Sequence, residues 1–368
     1  MKINELDTPS LMIDQDILTA NLKRMQDYAD AQHVGLRPHT KTHKMPAIAK
    51  MQKELGAVGI AVAKIGEAEV MQASGIQDIF IANEVVGKCK LNRIADLDKV
   101  CSISFGIDSI YEIREAEEVF GARNQIARVL IEVEVGEQRC GVNTDEDCLV
   151  LLNELKSCSH VKLLGFFGHD GNSYNVEDLH ACEEISSGAQ KKLVHFAEFA
   201  RAQGFEVSVV SYGSTPPLVH QVKIEEGITE IRPGTYALMD VSQGNAQGTL
   251  SMCAASVLAS VLSKPTEERV ILDVGAKGIT MQERTIGICN SKGKGHIKGF
   301  PNVNIQRIFD EHAIINDKSF HDAVNVGEKV EIIPVHICPV CNLYNTAVLV
   351  SHGEVVDTLE IACRGKLQ

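Results

Sequence analysis

A chain of 368 residues is longer than one small domain holds, and its length points to about two domains. With 44% hydrophobic and 23% charged residues, it has the composition of a soluble globular protein. Its 49 acidic against 36 basic side chains leave a formal charge of −13, which argues against nucleic acid or an anionic membrane surface as a partner.

No apolar run reaches the roughly 18 residues of a membrane span. The opening MKINELDTPS has no apolar signal core, so a cytoplasmic protein is expected. The eleven cysteines are odd in number, and Cys253, Cys289 and Cys363 sit in apolar runs where a thiol behaves as a small hydrophobe. Reduced thiols are therefore expected.

In chain order, Leu11–Asp14 is a short strand candidate. The stretch Asp16–Gln32 follows, with Ile17, Leu18, Leu22, Met25 and Tyr28 at close to helical spacing. Eight strand candidates come next: Val34–His39, Val58–Ala63, Asp78–Asn83, Ser102–Ile107, Ala127–Val135, Val161–Gly168, Glu206–Gly213 and Glu230–Tyr236. Between most of them lies one helix-length segment, such as Met45–Leu55, Ile65–Gln72, Asp145–Lys156 or Glu184–Ala202. Eight strand–helix units predict an α/β chain whose first part is a closed (β/α)₈ TIM barrel.

The pattern changes near residue 245. Ser256–Leu262, Val270–Val274, Lys329–Val335, Ala347–Val350 and Glu354–Ile361 read as strands with little helix between them. Ser351-His352-Gly353 is a hairpin signal joining the last two. A mostly antiparallel β domain is expected, made of residues 1–14 plus 246–368, beside a barrel of residues 15–245.

A barrel builds its site from the loops at the carboxyl ends of its strands. The unusual segments fall there: RPHTKTHK at 37–44, GEQRCG at 136–141, HDGNSY at 169–174, GSTP at 213–216 and RPGTY at 232–236. Loops seven and eight commonly hold a phosphate in this architecture. Gly213 and Gly234 admit close approach of backbone to an anion, while Ser214 and Thr215 add donors. Lys41, among Arg37, His43 and Lys44, is expected to have a lowered pKa suited to Schiff-base chemistry; a solvated basic loop is the plainer alternative.

His336 and Cys338 lie at the end of an apolar run. If the strand continues through them, both project from one face toward a single metal ion. Buried thiol packing is the alternative. Cys338-Pro339-Val340-Cys341 is the chain's one CxxC, so a four-cysteine knuckle is not expected, and a redox dithiol would lack its usual context.

The segments LDTPSLMID, LRPHTKTHK, EVEVGEQRCGV, GHDGNSY, YGSTP, EIRPGTY and PVHICPVCNLY run through nearly the whole chain. In that order they resemble fold-type III pyridoxal-phosphate enzymes of the D-serine dehydratase and D-threonine aldolase family, whose barrel is like that of alanine racemase. The resemblance implies that Lys41 carries pyridoxal 5'-phosphate and that Arg139 faces its pyridine nitrogen. It implies that His169 and Tyr174 line the ring, and that Ser214, Thr215, Gly234 and Tyr236 hold the phosphate. His336 and Cys338 would bind a divalent metal. Glu134 stands where the family usually has aspartate, and Cys341 where it often has threonine.

The implied activity is a lyase reaction on D-β-hydroxy amino acids. Dehydratases of the group resemble the His-x-Cys pattern and aldolases more often show His-x-Asp. A thiolate selects Zn²⁺, and the hard Mn²⁺ or Mg²⁺ would suit an aldolase. A D-serine dehydratase-like elimination is therefore expected, with D-threonine aldolase-type cleavage as the alternative. An amino-acid racemase would need a second base, for which Tyr344 is the β-domain tyrosine. A non-catalytic pyridoxal-phosphate carrier would resemble the bare barrel without a β domain. A homodimer is implied as well.

Overall fold

The computed structural model describes residues 1–368. Strand β1 (Ser10–Asp14) leads into α1 (Gln15–Ala31), after which strands and helices alternate. The strands are β2 (Gly35–Leu36), β3 (Ile60–Val62), β4 (Asp78–Glu84), β5 (Ser102–Ile107), β6 (Ala127–Glu132), β7 (Val161–Gly168), β8 (Val209–Tyr212) and β9 (Glu230–Ile231). The helices between them are α2 (Pro46–Glu54), α3 (Ile65–Ala73), α4 (Lys88–Leu97), α5 (Ile110–Ala122), α6 (Asp145–Ser157), α7 (Leu179–Ala202) and the short α8 (Thr215–Val219).

Local chemistry sets these boundaries. Pro46 opens α2, where its missing N–H costs nothing. Thr144 and Asp147 cap the start of α6 reciprocally, and the Asp178 carboxylate accepts from the Ala181 N–H at the start of α7. Along α7 the buried side chains Cys182, Ser186, Ala189, Leu193, Phe196 and Ala200 recur every three or four residues, which turns one face onto the sheet.

All pairings from β2 to β9 are parallel. The barrel closes where the chain after β2 meets β3: Thr40 N–H donates to Ala61 O at 2.8 Å, and Ala61 N–H to Pro38 O at 2.8 Å. Several strands are shorter than expected because their last residues leave the ladder to form the rim. Ala61, Phe80, Leu130 and Phe167 make a small interior cluster, distinct from the main core. Arg232 lies against it, its guanidinium 5.3 Å from the Phe167 ring centroid.

At Gly165 the β7 backbone runs so close to β8 that a Cβ would lie 1.7 Å from Val209 O. The ladder to β6 shifts register at the same point. Gly165→Ala is expected to destabilise the protein by about 3 kcal/mol, because backbone rather than a flexible side chain must move. Denaturant unfolding of the two proteins checks this.

The second sheet has nine strands. After α9 (Val241–Ala246) come β10 (Ala255–Ser263), β11 (Arg269–Leu272), α10 (Ala276–Ile279), β12 (His296–Ile297), β13 (Arg307–Ile308) and β14 (Ala313–Asn316). Then follow α11 (Lys318–Ala323), β15 (Lys329–Ile333), α12 (Ile337–Cys341), β16 (Thr346–Ser351) and β17 (Glu354–Glu360). β1 sits in the middle, antiparallel to β10 and parallel to β16, so the amino terminus is built into this sheet. The hairpin turns at Ser351-His352-Gly353, with His352 and Gly353 both at positive φ. β12, β13 and β14 were not expected; runs of two to four residues are too short for alternation to register. No helix is long and apolar enough to cross a membrane.

Candidate active site

A cavity of about 210 Å³ opens at the carboxyl ends of the barrel strands. It brings together Lys41, Arg139, His169, Tyr174, Ser214, Thr215 and Gly234 from the barrel with His336 and Cys338 from the second sheet. Tyr236 is the exception among the expected residues. Its ring is buried and its hydroxyl accepts from Gln52 Nε2 at 3.0 Å, so the phenol belongs to the core under α2.

Lys41 is exposed within the open cavity, where the surrounding protein atoms partly desolvate its amine. This desolvation lowers its pKa, with Arg139 and Arg232 adding repulsion and Cys338 opposing. The direction matches the expectation, but the cause does not. Arg37 pairs with Glu230 and Asp78 at the amino-terminal ends of β9 and β4, below the rim, and Lys44 is buried in an ion pair with Glu67. His43 accepts from the Met45 N–H through Nδ1, as a structural residue. A turn over Thr40–His43, closed by the Lys44 N–H donating to Thr40 O at 2.8 Å with Lys44 at positive φ, sends His43 and Lys44 away from Lys41.

His169 Nδ1 donates to Gly213 O at 2.5 Å. Burial and the neighbouring Lys41 charge hold its pKa down to about 3, so the ring is neutral. Glu134 accepts from the Gly136 and Gln138 N–H groups at 2.6 and 2.8 Å, and so shapes the loop presenting Arg139. Arg139 lies 3.4 Å from Glu132 and 3.5 Å from Glu137. Behind them, burial and Glu132 push Glu84 up to about 8, leaving a proton on that acid pair at neutral pH.

Loops seven and eight form an anion cradle. The Ser214 and Gly234 N–H groups have no acceptor within the chain, Thr215 N–H is 3.4 Å from Tyr174 Oη, and Thr235 N–H donates to Thr215 Oγ1. A Cβ on Gly234 would lie 2.9 Å from Thr42 Oγ1 and 3.1 Å from His39 O, which excludes larger residues there.

Asp170 lies beneath the cradle, fully buried, with Oδ2 accepting from Tyr212 Oη at 2.8 Å. Burial pushes its carboxyl from 3.8 up to about 7. Between these values the folded protein keeps a proton that the unfolded chain releases. Stability is therefore expected to fall as pH rises through this window, by at most about 1.4 kcal/mol per pH unit for one proton. Asp170→Asn removes that share of the slope, which urea unfolding across pH 4–7 measures.

His336 and Cys338 do not lie on a strand as expected. β15 ends at Ile333, and His336 is the residue before α12, with Cys338 in its first turn. A helix start still brings both side chains to one cavity. His336 Nδ1 donates to Gln282 Oε1 at 3.0 Å, which leaves Nε2 to meet a metal. Burial alone would raise the Cys338 thiol, but His336 and hydrogen bonding with Thr42 and Thr235 bring it to about 7. Asp240 anchors the segment, its Oδ2 accepting from Ile337 N–H at 3.1 Å. Cys341 points the other way, into the core, and all eleven cysteines are free.

Thr42, Thr235, Asp240 and Gln282 were not singled out as site residues. Thr42 and Thr235 lie inside segments already marked as unusual. Gln282 and Asp240 carry no sequence signal, since only the packing of the two sheets brings them to His336 and Ile337.

Two family models match successive parts of the chain: an alanine racemase N-terminal domain over residues 13–241 and a serine dehydratase domain over 254–350. D-threonine aldolase of an Arthrobacter species is 35% identical over 364 residues, covering 98% of this chain and 93% of the relative. The chain belongs to the D-serine dehydratase and D-threonine aldolase family of fold-type III pyridoxal-phosphate enzymes. Among solved structures, D-threonine aldolase from Filomicrobium marinum superposes with a TM-score of 0.91 at 28% identity, covering 100% of this chain and 98% of that one. D-threo-3-hydroxyaspartate dehydratase from Delftia sp. HT23 gives 0.91 at 28% identity, covering 98% of each chain. A cysteine-to-alanine form of that dehydratase is described as metal-free.

The family's cofactor fits the residues present. A lysine amine of lowered pKa stands in the cavity, unpaired N–H groups line the anion cradle, and glycine keeps it open. The imidazole and thiol at 336 and 338 fit a divalent metal in the same space.

Proposed function

We propose that this protein is a pyridoxal-phosphate- and metal-dependent lyase that eliminates water from D-β-hydroxy amino acids, in the manner of a D-serine dehydratase. The observation that carries this reading is the convergence of His336 and Cys338 on the cavity that holds Lys41. Pyridoxal phosphate supplies an electron sink for charge at Cα, and a divalent ion supplies a Lewis acid for a hydroxyl.

The chain's own residues take the following roles. Lys41 binds the cofactor's aldehyde through its amine and, when released by substrate, takes the Cα proton. The neutral ring of His169 and the ring of Tyr174 would line the cofactor's ring from the cavity wall. Arg139 presents a fixed positive charge to the pyridine nitrogen and so disfavours its protonation. Ser214, Thr215 and Gly234 hold the phosphate, and Tyr236 supports that loop from the core rather than by its hydroxyl. His336 and Cys338 hold the metal, and the thiolate favours Zn²⁺ over harder ions.

The division into a cofactor-binding barrel (15–245) and a metal-bearing β domain (1–14 plus 246–368) is supported by the two separate sheets. Eleven free thiols support a reducing, cytoplasmic setting. We place the enzyme there as a homodimer acting on a small D-amino acid.

The similarity to D-threonine aldolases favours a second reading, retro-aldol cleavage to glycine and an aldehyde. Incubation with D-serine, D-threonine and 3-hydroxy-D-aspartate, assaying ammonia and glycine separately, decides between them. Ammonia with an oxo acid is the expected result. Glycine without ammonia would establish the aldolase, and activity on L-isomers alone would end both readings.

A further inference from the structure

Arg284 lies in the segment between α10 and β12 and lines the cavity from the side of the second sheet. Its Nε is buried without an acceptor, and its guanidinium forms no ion pair. The side chain is nevertheless held in place. Its planar group lies 4.9 Å over the Tyr174 ring, and its backbone is clamped by bonds to Ser291, with Ser291 N–H donating to Arg284 O at 2.7 Å. An ion pair between Glu283 and Lys294 at 2.8 Å ties down the same loop.

The other cations of the cavity are committed. Arg139 has Glu132 and Glu137. Arg232 donates to the carbonyls of Ser211 and Gly168 at 3.0 Å. Lys41 is reserved for the cofactor. Arg284 alone offers a planar fork of donors to whatever enters, the geometry that matches a carboxylate. Two residues before it, Gln282 holds His336. Arg284 and that imidazole line the same cavity. A substrate whose β-hydroxyl meets the metal has its carboxylate only one carbon further along, on Cα.

We infer that Arg284 binds the α-carboxylate of the amino-acid substrate. The assignment rests on the lyase reading above and adds the residue that orients Cα between Lys41 and the metal ligands. Because every α-amino acid carries this group, Arg284 governs binding of all substrates alike.

The test uses the holoenzyme and follows the cofactor's absorption band as D-serine or D-threonine is added. In Arg284→Ala the dissociation constants of both are expected to rise together by about 30- to 100-fold, as for a lost charge-assisted pair. Arg284→Lys should recover part of the loss, and the affinity for pyridoxal phosphate should stay within about twofold. Should the alanine variant fail to fold, D-serine methyl ester probes the unaltered enzyme and is expected to bind at least about 30-fold more weakly than D-serine.

Unchanged amino-acid binding in the variants would overturn the assignment. So would a loss of pyridoxal phosphate with amino-acid affinity intact, since Arg284 would then serve the cofactor's phosphate. A wild-type band that responds to no D-β-hydroxy amino acid would instead overturn the lyase reading, and this assignment with it.

Discussion

Lys41→Ala is expected to abolish turnover, lowering kcat/KM by at least about a thousandfold, because one change removes both the covalent anchor and the base at Cα. The fold should survive. Lys41 makes no side-chain hydrogen bond or ion pair that supports the barrel, unlike Lys44, whose pairing with Glu67 is buried. The variant should still bind pyridoxal phosphate through the Ser214–Thr215 cradle, without the absorption of a lysine-linked cofactor. Borohydride reduction followed by peptide mapping is the complementary measurement. In the wild type the label is expected at position 41, and a label at Lys44 would reverse the roles of the two lysines.

The second large effect concerns the metal. Cys338→Ala and His336→Ala are each expected to lose bound metal and at least about a hundredfold in kcat/KM. That is beyond the 10- to 100-fold typical of removing an outer partner of a ligand, because a direct donor is lost from a pair. Metal analysis of the purified proteins gives the first readout. Chelation of the wild type should reproduce the loss, with recovery on adding Zn²⁺. Cys338→Asp replaces a soft donor by a hard one and should shift the best-activating ion toward Mn²⁺. Full activity in metal-stripped protein would remove the ion from the mechanism.

Much of this was legible before the fold was known, for identifiable reasons. The eight strand–helix units of the barrel show because each strand is an apolar run bounded by polar loops. The loops that carry Lys41, Arg139, His169 and Ser214 show because a barrel's chemistry must sit at its strands' carboxyl ends. The conformation around His336 was less legible. VEIIPVHIC reads as one continuous strand, yet the chain leaves the sheet after Ile333 and starts a helix, with Asp240 accepting the N–H of Ile337. That acceptor lies 97 positions away in the chain, beyond the reach of any local pattern. The place of the Tyr236 phenol was hidden for a related reason: RPGTY marks a rim loop, but a 3-10 turn over Thr235–Ala237 rotates the phenol into the core.

Composition, periodicity and motif order were sufficient by themselves for the barrel, the β domain and the rim loop that carries Lys41, since each depends on residues close together in the chain. Tertiary structure alone decided which charges surround Lys41, where His336 and Cys338 sit relative to it, and that Arg284 lines the cavity without an ion-pair partner. Electric fields and desolvation act through space, so groups far apart in the chain set the chemistry once the two sheets pack against each other.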